Sequence, residues 1–304
     1  MKQALVAIVG RANAGKSSLL NAVLGETVTI VSPVAQTTRR PVRGVLTEEG
    51  TQLVFTDTPG IRAATHALGS LLNRTARGLV TGSDAVLLVV DGSLPPRLED
   101  RGWMARLARD EVPVQALLNK CDLGCREAEY RAAWEETLAE LRERDPALAP
   151  PPVVWRRVSA KTGEGLPELL ETLRAAAVET ETPRYDPETL TDDPRPFFIA
   201  DVVRQQLNAR LADELPHACA VETVKIADAP DKVSVEATIY VEKPSQRPIV
   251  IGQKARGIRA IRRAAEAELG EIYGKPHELS LWVKVEPNWS RNYWMLRRLG
   301  YLPG

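Results

Sequence analysis

The octapeptide GRANAGKS, Gly10 to Ser17, fits the pattern G-x-x-x-x-G-K-[ST]. An apolar, β-branched run precedes it and a helical pattern follows it, which is the context in which such a loop cradles phosphates. Its glycines let the backbone N–H groups of Gly10, Arg11, Ala12, Asn13, Ala14 and Gly15 wrap an anion, and the N–H groups of Lys16, Ser17 and Ser18 open the next helix, where the helix dipole adds positive charge. Lys16 is placed to neutralise β and γ phosphates and Ser17 to ligate Mg²⁺. Three further segments carry matching chemistry: Asp57-Thr58-Pro59-Gly60, Asn119-Lys120-Cys121-Asp122 and Ser159-Ala160-Lys161. Each follows an expected strand, and ligands in open α/β sheets bind at the carboxyl ends of strands. Each alone could be a polar turn, but four in this order at strand ends are not a coincidence.

The second of these segments selects the base. Guanine presents two donors, N1–H and its 2-amino group, on one edge, and the Asp122 carboxylate can accept both. Adenine would leave that carboxylate unpaired, and a site built to form a hydrogen bond strongly rejects a ligand that cannot make it. Asn119 holds the loop, the Lys120 stem covers the base face, and the N–H of Ala160 meets the guanine O6. The expected ligand is therefore GTP or GDP. Asp57 holds Mg²⁺ through water, and the Gly60 N–H senses the γ-phosphate. Thr37 and Thr38 lie in SPVAQTTRR between the first helix and second strand. A threonine there completes the Mg²⁺ shell when the γ-phosphate orders the loop, and we favour Thr38.

The residue after Gly60 is Ile61, where many GTPases carry a glutamine that orients water. Hydrolysis is therefore expected to be slow, roughly 10⁻⁴ to 10⁻² s⁻¹ as for Ras and Gα alone. Asn13 is a candidate helper: its amide oxygen can hold K⁺ against the phosphates. The plainer alternative is that Asn13 only stabilises the turn.

These sites need elements to hold them. Up to about residue 180, apolar runs at 5–9, 42–46, 53–56, 85–90, 114–118 and 153–158 alternate with helical patterns such as 16–24, 68–80, 127–142 and 166–178. Such alternation predicts an α/β fold with a mostly parallel six-stranded sheet. The spacer TEEGTQ predicts an antiparallel hairpin at 42–56. A stretch rich in proline, threonine and acid at 181–196 reads as an interdomain linker. Beyond it, 197–304 reads as a smaller α+β module: a helix at 197–215, strands at 218–226 and 233–241, helices to about 272, a strand at 279–285 and a C-terminal helix. The 304 residues fit two domains.

Composition is that of an ordinary globular protein, with no apolar run near the ~18–20 residues of a membrane helix. The opening MKQALVAIVG reads as a buried first strand rather than a signal peptide. Three cysteines without metal-ligand spacing favour a reducing cytoplasm and no zinc. Formal net charge is zero, yet Lys243 to Arg263 holds seven basic residues and no acidic one. That run is a candidate nucleic-acid footprint; a solvated helix face is the alternative.

GRANAGKSSLLN, SPVAQTTRR, FTDTPG, NKCD and SAK together resemble the TrmE–Era–Der group of bacterial GTPases. ELPHACAVE, RPIVIGQKARGIRAI, LWVKVEPNW and LRRLGY narrow the resemblance to its Era family over nearly the whole chain. The resemblance implies a GTPase domain followed by a type II KH domain. It further implies binding to the 3′ end of small-subunit ribosomal RNA, assistance to RNA processing and small-subunit assembly, and RNA binding favoured by GTP. A cytoplasmic monomer with peripheral association at the inner membrane is expected.

A KH domain clamps about four nucleotides with a G-x-x-G loop. Here that loop is Gly252-Gln253-Lys254-Ala255, with alanine in place of the second glycine. Alanine is free of strain at negative φ and costs roughly 1 kcal/mol or more at positive φ, so either position 255 is helical or the loop pairs with RNA less closely. Lys254, Arg256, Arg259, Arg262 and Arg263 are the expected phosphate contacts. Trp282, Trp289, Tyr293 and Trp294 could stack on bases, although each alone is more often a core or interface residue; Trp289 is the best stacking candidate.

Overall fold

Strand β1 (Lys2–Val9) is apolar on both faces and lies inside a sheet. Parallel strands covered by helices on both sides read as such continuous runs. In the computed structural model, which describes residues 1–31, 39–59, 78–211 and 215–302, β1 is flanked by β3 (Thr51–Asp57) and β4 (Ala85–Asp91), both parallel to it. Beyond β4 follow β5 (Val114–Asn119) and β6 (Val153–Arg157), also parallel. The hairpin expected at 42–56 is β2 (Val42–Glu48) antiparallel to β3. A short β7 (Val178–Glu179), not expected from its sequence, pairs antiparallel with the start of β1, giving a seventh strand.

Helix α1 (Lys16–Leu24) turns Leu19, Leu20, Val23 and Leu24 onto the sheet and ends at Gly25 in the left-handed region. Helices α2 (Leu98–Leu107) and α3 (Glu127–Arg144) pack together on the face that carries Trp103, Met104 and Tyr130. Helix α4 (Leu166–Ala176) contributes Leu166, Leu169 and Leu173 to the α1 face. The expected helix at 68–80 lies outside the described residues except for 78–80.

The second sheet has the order β10–β9–β8. Its β8 (Cys219–Asp228) and β9 (Val233–Val241) are antiparallel, and β10 (His277–Val285) runs parallel to β9. Helix α5 (Arg195–Asn208) packs on β8, and α8 (Arg256–Tyr273) packs on β10 through a stripe of Ile261, Ala265 and Leu269. The helix expected at 197–215 stops at Asn208, and a separate short helix α6 (Leu215–Ala218) carries Pro216. Proline is excluded from a helix interior but fits a first turn, where its missing N–H leaves no bond unmade. Helices α7 (Gln246–Ile251) and α9 (Tyr293–Arg298) complete the module.

The compact units are not the simple halves that the sequence suggests. The first holds Met1–Thr29 and Pro41–Asp192; the second holds Ile30–Arg40 and Asp193–Gly304. Much of the stretch expected as linker is bonded to the first unit. Tyr185 N–H donates to Gln52 Oε1 at 3.0 Å, Val45 N–H to Leu190 O at 2.8 Å, and Thr191 Oγ1 to Arg43 O at 2.6 Å. Ile30 joins the core of the second unit. There Arg39 donates to the carbonyls of Cys219 at 2.8 Å and Pro216 at 2.9 Å. Its guanidinium lies 6.0 Å from the Trp289 ring and 5.9 Å from that of Tyr301. Arg40 pairs with Asp193 and, at 3.0 Å, with Asp201.

Phe55 is fully buried in the α1-side core. Phe55→Ala is expected to destabilise the first unit by about 3–5 kcal/mol, read as a lower urea midpoint.

Candidate functional site

The loop after β1 is shaped by close approach. Gly10 has φ +146°, and a Cβ there would meet Val89 O at 2.2 Å. Gly15 has φ +95°, and a Cβ would meet Asn119 Nδ2 at the same distance. Between them Asn13 is left-handed. Lys16 is buried, and its ammonium donates to Arg11 O at 3.0 Å. Burial lowers the Lys16 pKa, opposed by the charge of Asp57.

Ser17 Oγ donates to the buried Asp57 carboxylate at 2.7 Å. A hydroxyl and a carboxylate converging at a helix N-terminus form a hard-oxygen donor set of the kind Mg²⁺ takes alongside phosphates and water. Thr58, next to Asp57, donates to Ile8 O at 2.8 Å, which ties the end of β3 to β1.

Asn119 is the latch of the site. Its Nδ2 donates to Ala14 O at 3.0 Å, and its Oδ1 accepts from the Ala160 N–H at 3.0 Å. One buried carboxamide therefore joins the loops after β1, β5 and β6. Ser159 Oγ donates to Asp122 Oδ1 at 2.7 Å, which orients an otherwise exposed carboxylate. Lys120 is left-handed, and its ammonium donates to Asn13 O at 3.0 Å and to Asp91 Oδ2 at 2.6 Å. Burial and Glu164 push the Cys121 thiol up to about 11, so it stays protonated.

The structure thus brings together Gly10–Ser18, Asp57–Pro59, Asn119–Asp122 and Ser159–Lys161 at the carboxyl ends of β1, β3, β5 and β6. Thr37, Thr38, Gly60 and Ile61 lie outside the described residues. Sequence reasoning missed Asp91 and Asp100, which lie beside Arg11. Asp91 ends an apolar strand just as Asp57 does, and that signal could have marked it.

In the second unit, Gly252-Gln253-Lys254-Ala255 joins α7 to α8. Gly252 has φ +72°, and a Cβ would meet Gly257 N at 2.7 Å, so glycine is required there. Ala255 has φ 60° and ψ 25°. The strain-free helical alternative therefore fails: alanine occupies a left-handed position, as does Lys254 with φ 49°. Gln253, Lys254, Arg256 and Arg263 are exposed. Arg259 is exposed as well and donates to Lys254 O at 2.9 Å, and the half-buried Arg262 faces Glu266 at 3.7 Å.

Trp289 corrects another expectation. It is fully buried and donates through Nε1 to Ala218 O at 3.0 Å, so it packs the core and cannot stack on a base. Its indole fills the space against Arg39 and Tyr301. Trp282, Tyr293 and Trp294 are the exposed aromatics of this region.

A strand–loop–helix phosphate cradle with a guanine-selective loop, joined to an α+β module with a G-x-x-G-like turn, defines a P-loop GTPase carrying a KH domain. Residues 5–120 match the family described as 50S ribosome-binding GTPase, and residues 214–290 match the KH domain. The chain belongs to the Era family of GTPases. It is 36% identical to GTPase Era of Rippkaea orientalis over 99% of this chain and 92% of that protein. It is 37% identical to GTPase Era of Leuconostoc citreum over 99% and 96%. Among solved structures, Aquifex aeolicus Era Y63A bound to GDP·AlF4⁻ superposes with a TM-score of 0.83 at 32% identity, covering 99% of both chains. An Era complex with MgGDPNP and nucleotides 1506–1542 of 16S ribosomal RNA gives a TM-score of 0.82 at 31% identity, with the same coverage.

Ala255→Gly relieves roughly 1–2 kcal/mol of left-handed strain and loses about 0.4–1 kcal/mol to a looser unfolded chain. A net gain of about 0.8 kcal/mol is expected in the stability of the second unit, measured by denaturant titration.

Proposed function

We propose that this GTPase is a nucleotide-controlled RNA-binding switch, which takes the 3′ end of small-subunit ribosomal RNA on its KH unit and assists processing and small-subunit assembly. The observation that carries the reading is the pairing, in one chain, of the loop cluster latched by Asn119 with the exposed basic turn at 252–256. The Era relative solved with MgGDPNP and the 16S fragment supports the RNA assignment.

In this reading the Gly10–Ser18 backbone and Lys16 bind the phosphates, and Asp122, oriented by Ser159, accepts the guanine N1–H and 2-amino donors. The Ala160 N–H, already aligned on Asn119, turns toward O6. Ser17 and Asp57 would hold Mg²⁺, with Thr38 the ligand from the loop between α1 and β2, and the bound metal would supply neutralisation of phosphate charge. Lys16 adds charge stabilisation of the transferring γ-phosphoryl group, and its burial away from water makes that interaction stronger. Gly60 reads the γ-phosphate, and Ile61 offers no group to orient the attacking water. Asn13 projects from the phosphate loop, where its amide oxygen can hold K⁺.

On the KH unit, Lys254, Arg256 and Arg263 contact RNA phosphates around Gly252, while Arg259 acts by holding the loop. No helix among the described residues is long and apolar enough to cross a membrane. Any membrane association is proposed to be peripheral, and the protein to be a cytoplasmic monomer.

RNA binding measured with GTP, GDP and no nucleotide tests the reading. A ribosomal 3′-end oligonucleotide should bind more tightly with GTP than with GDP, and RNA should tighten GTP binding by the same factor. Absence of RNA binding in all three states would overturn it. Asp122→Asn should weaken GDP binding and favour xanthosine diphosphate, whose 2-oxo group accepts from the amide; unchanged GDP affinity would remove Asp122 from its role. Hydrolysis should be faster in KCl than in NaCl at equal ionic strength if Asn13 holds K⁺, and Asn13→Ala should abolish the difference.

A further inference from the structure

Behind the phosphate loop, Asp91 and Asp100, which the motifs do not include, form a four-charge cluster with Arg11 and Lys120. Asp91, the last residue of β4, pairs in register with Asn119 at the end of β5. Its carboxylate is 5% exposed. Ser93 donates to Oδ1 from its N–H at 3.2 Å and its hydroxyl at 2.6 Å. Oδ2 accepts from Lys120 at 2.6 Å and faces Arg11 Nη2 at 3.8 Å. Arg11 Nε in turn lies 3.3 Å from the fully buried Asp100, whose Oδ2 also accepts the Arg97 N–H at 3.0 Å in the first turn of α2. Tyr130 fixes the Asp91 main chain by donating to its carbonyl at 3.0 Å. Two cations and two carboxylates balance. Burial disfavours the Asp91 charge, yet the bonds from Lys120 and Ser93 outweigh it and hold its carboxyl below the usual range.

We propose that Asp91 is a positioning residue for nucleotide retention: it pins the Lys120 ammonium so that the lysine stem stands ready to cover the face of the purine, and Arg11 and Asp100 hold Asp91 in that place. The inference rests on the guanine-nucleotide reading of the site. Lys120 is fixed at both ends, by a left-handed backbone with φ 63° and by the two ammonium contacts at Asn13 and Asp91. A free lysine loses rotamer entropy when its chain is fixed. Fixing the chain before the ligand arrives removes that cost from binding. The contact is made by the stem against the ring face, so it is blind to the base edge that Asp122 reads. Asp91 therefore controls how long a purine nucleotide stays, and Asp122 controls which one.

The test is a double-mutant cycle on GDP dissociation from the full chain, using Asp91→Asn and Lys120→Met. Wild-type GDP binding is measured first; its absence would remove the nucleotide reading itself. Given binding, Asp91→Asn should raise the GDP dissociation rate about tenfold or more, from the loss of a charged hydrogen bond. The same factor should appear for IDP. In the Lys120→Met background the Asp91→Asn step should change the rate by less than twofold. Independent, multiplicative effects of the two substitutions would overturn the proposal, because Asp91 would then act on the loop scaffold rather than through Lys120. An Asp91 effect that differs tenfold between GDP and IDP would overturn it as well, since a face contact cannot tell those edges apart. If Asp91→Asn does not fold, Asp91→Glu, which keeps the charge and moves it by one methylene, takes its place in the cycle under the same criteria.

Discussion

The carboxamide of Asn119 is the constraint on which the nucleotide site depends. It is buried between three loops, donates to the phosphate loop at Ala14 and accepts from the loop after β6 at Ala160. Both contacts need the side chain at the carboxyl end of β5, one partner after the neighbouring β6 and the other after β1, two strands away, so the sheet order β3–β1–β4–β5–β6 comes first. Gly15 follows from the same contact, because a side chain there would occupy the space of the amide. A buried polar group leaves bonds unmade at a cost of roughly 1–3 kcal/mol. The three loops therefore hold one another through one side chain.

Charge is handled differently in the two units. In the first, Arg11, Lys120, Asp91 and Asp100 neutralise one another behind the site, leaving the backbone N–H groups and Lys16 to face the phosphates. In the second, the Arg39 guanidinium is buried under backbone carbonyls and aromatic faces. Arg40 is enclosed by Asp193 and Asp201. These two arginines end the segment Ile30–Arg40, which clusters with the KH unit although it lies in sequence within the GTPase half.

Helix α1 illustrates what was legible locally. Its bounds, 16–24, follow from a glycine before it, a glycine after it and apolar residues at helical spacing. The KH strands were legible for the same reason, alternation over eight to ten residues. Trp289 was not. A tryptophan followed by Ser290-Arg291-Asn292 after a strand suggests an exposed ring, but its partners are Ala218 and Arg39, far away in sequence. The stretch at 181–192 misled in the opposite sense: its composition is that of a free linker, yet its backbone bonds to the Gln52 side chain of β3 and accepts the Val45 N–H of β2, and its Thr191 hydroxyl donates to Arg43 O. Composition reports how little apolar surface a segment can bury; it is silent on backbone bonds to a distant strand edge.

Sequence by itself determined the class of chemistry. The phosphate loop, the aspartate at 57, the Asn-Lys-x-Asp tetrad and the serine-alanine pair carry their roles in residue type and local spacing, because hydrogen-bonding capacity and glycine geometry are properties of a few consecutive residues. Tertiary structure alone decided which groups support them. The Asp91–Arg11–Asp100 cluster, the placement of Ile30–Arg40, the burial of Trp289 and the left-handed strain at Ala255 depend on what lies across a strand pair or a packed helix. Burial, charge balance and backbone strain belong to the assembled core, and no local run of residues specifies them.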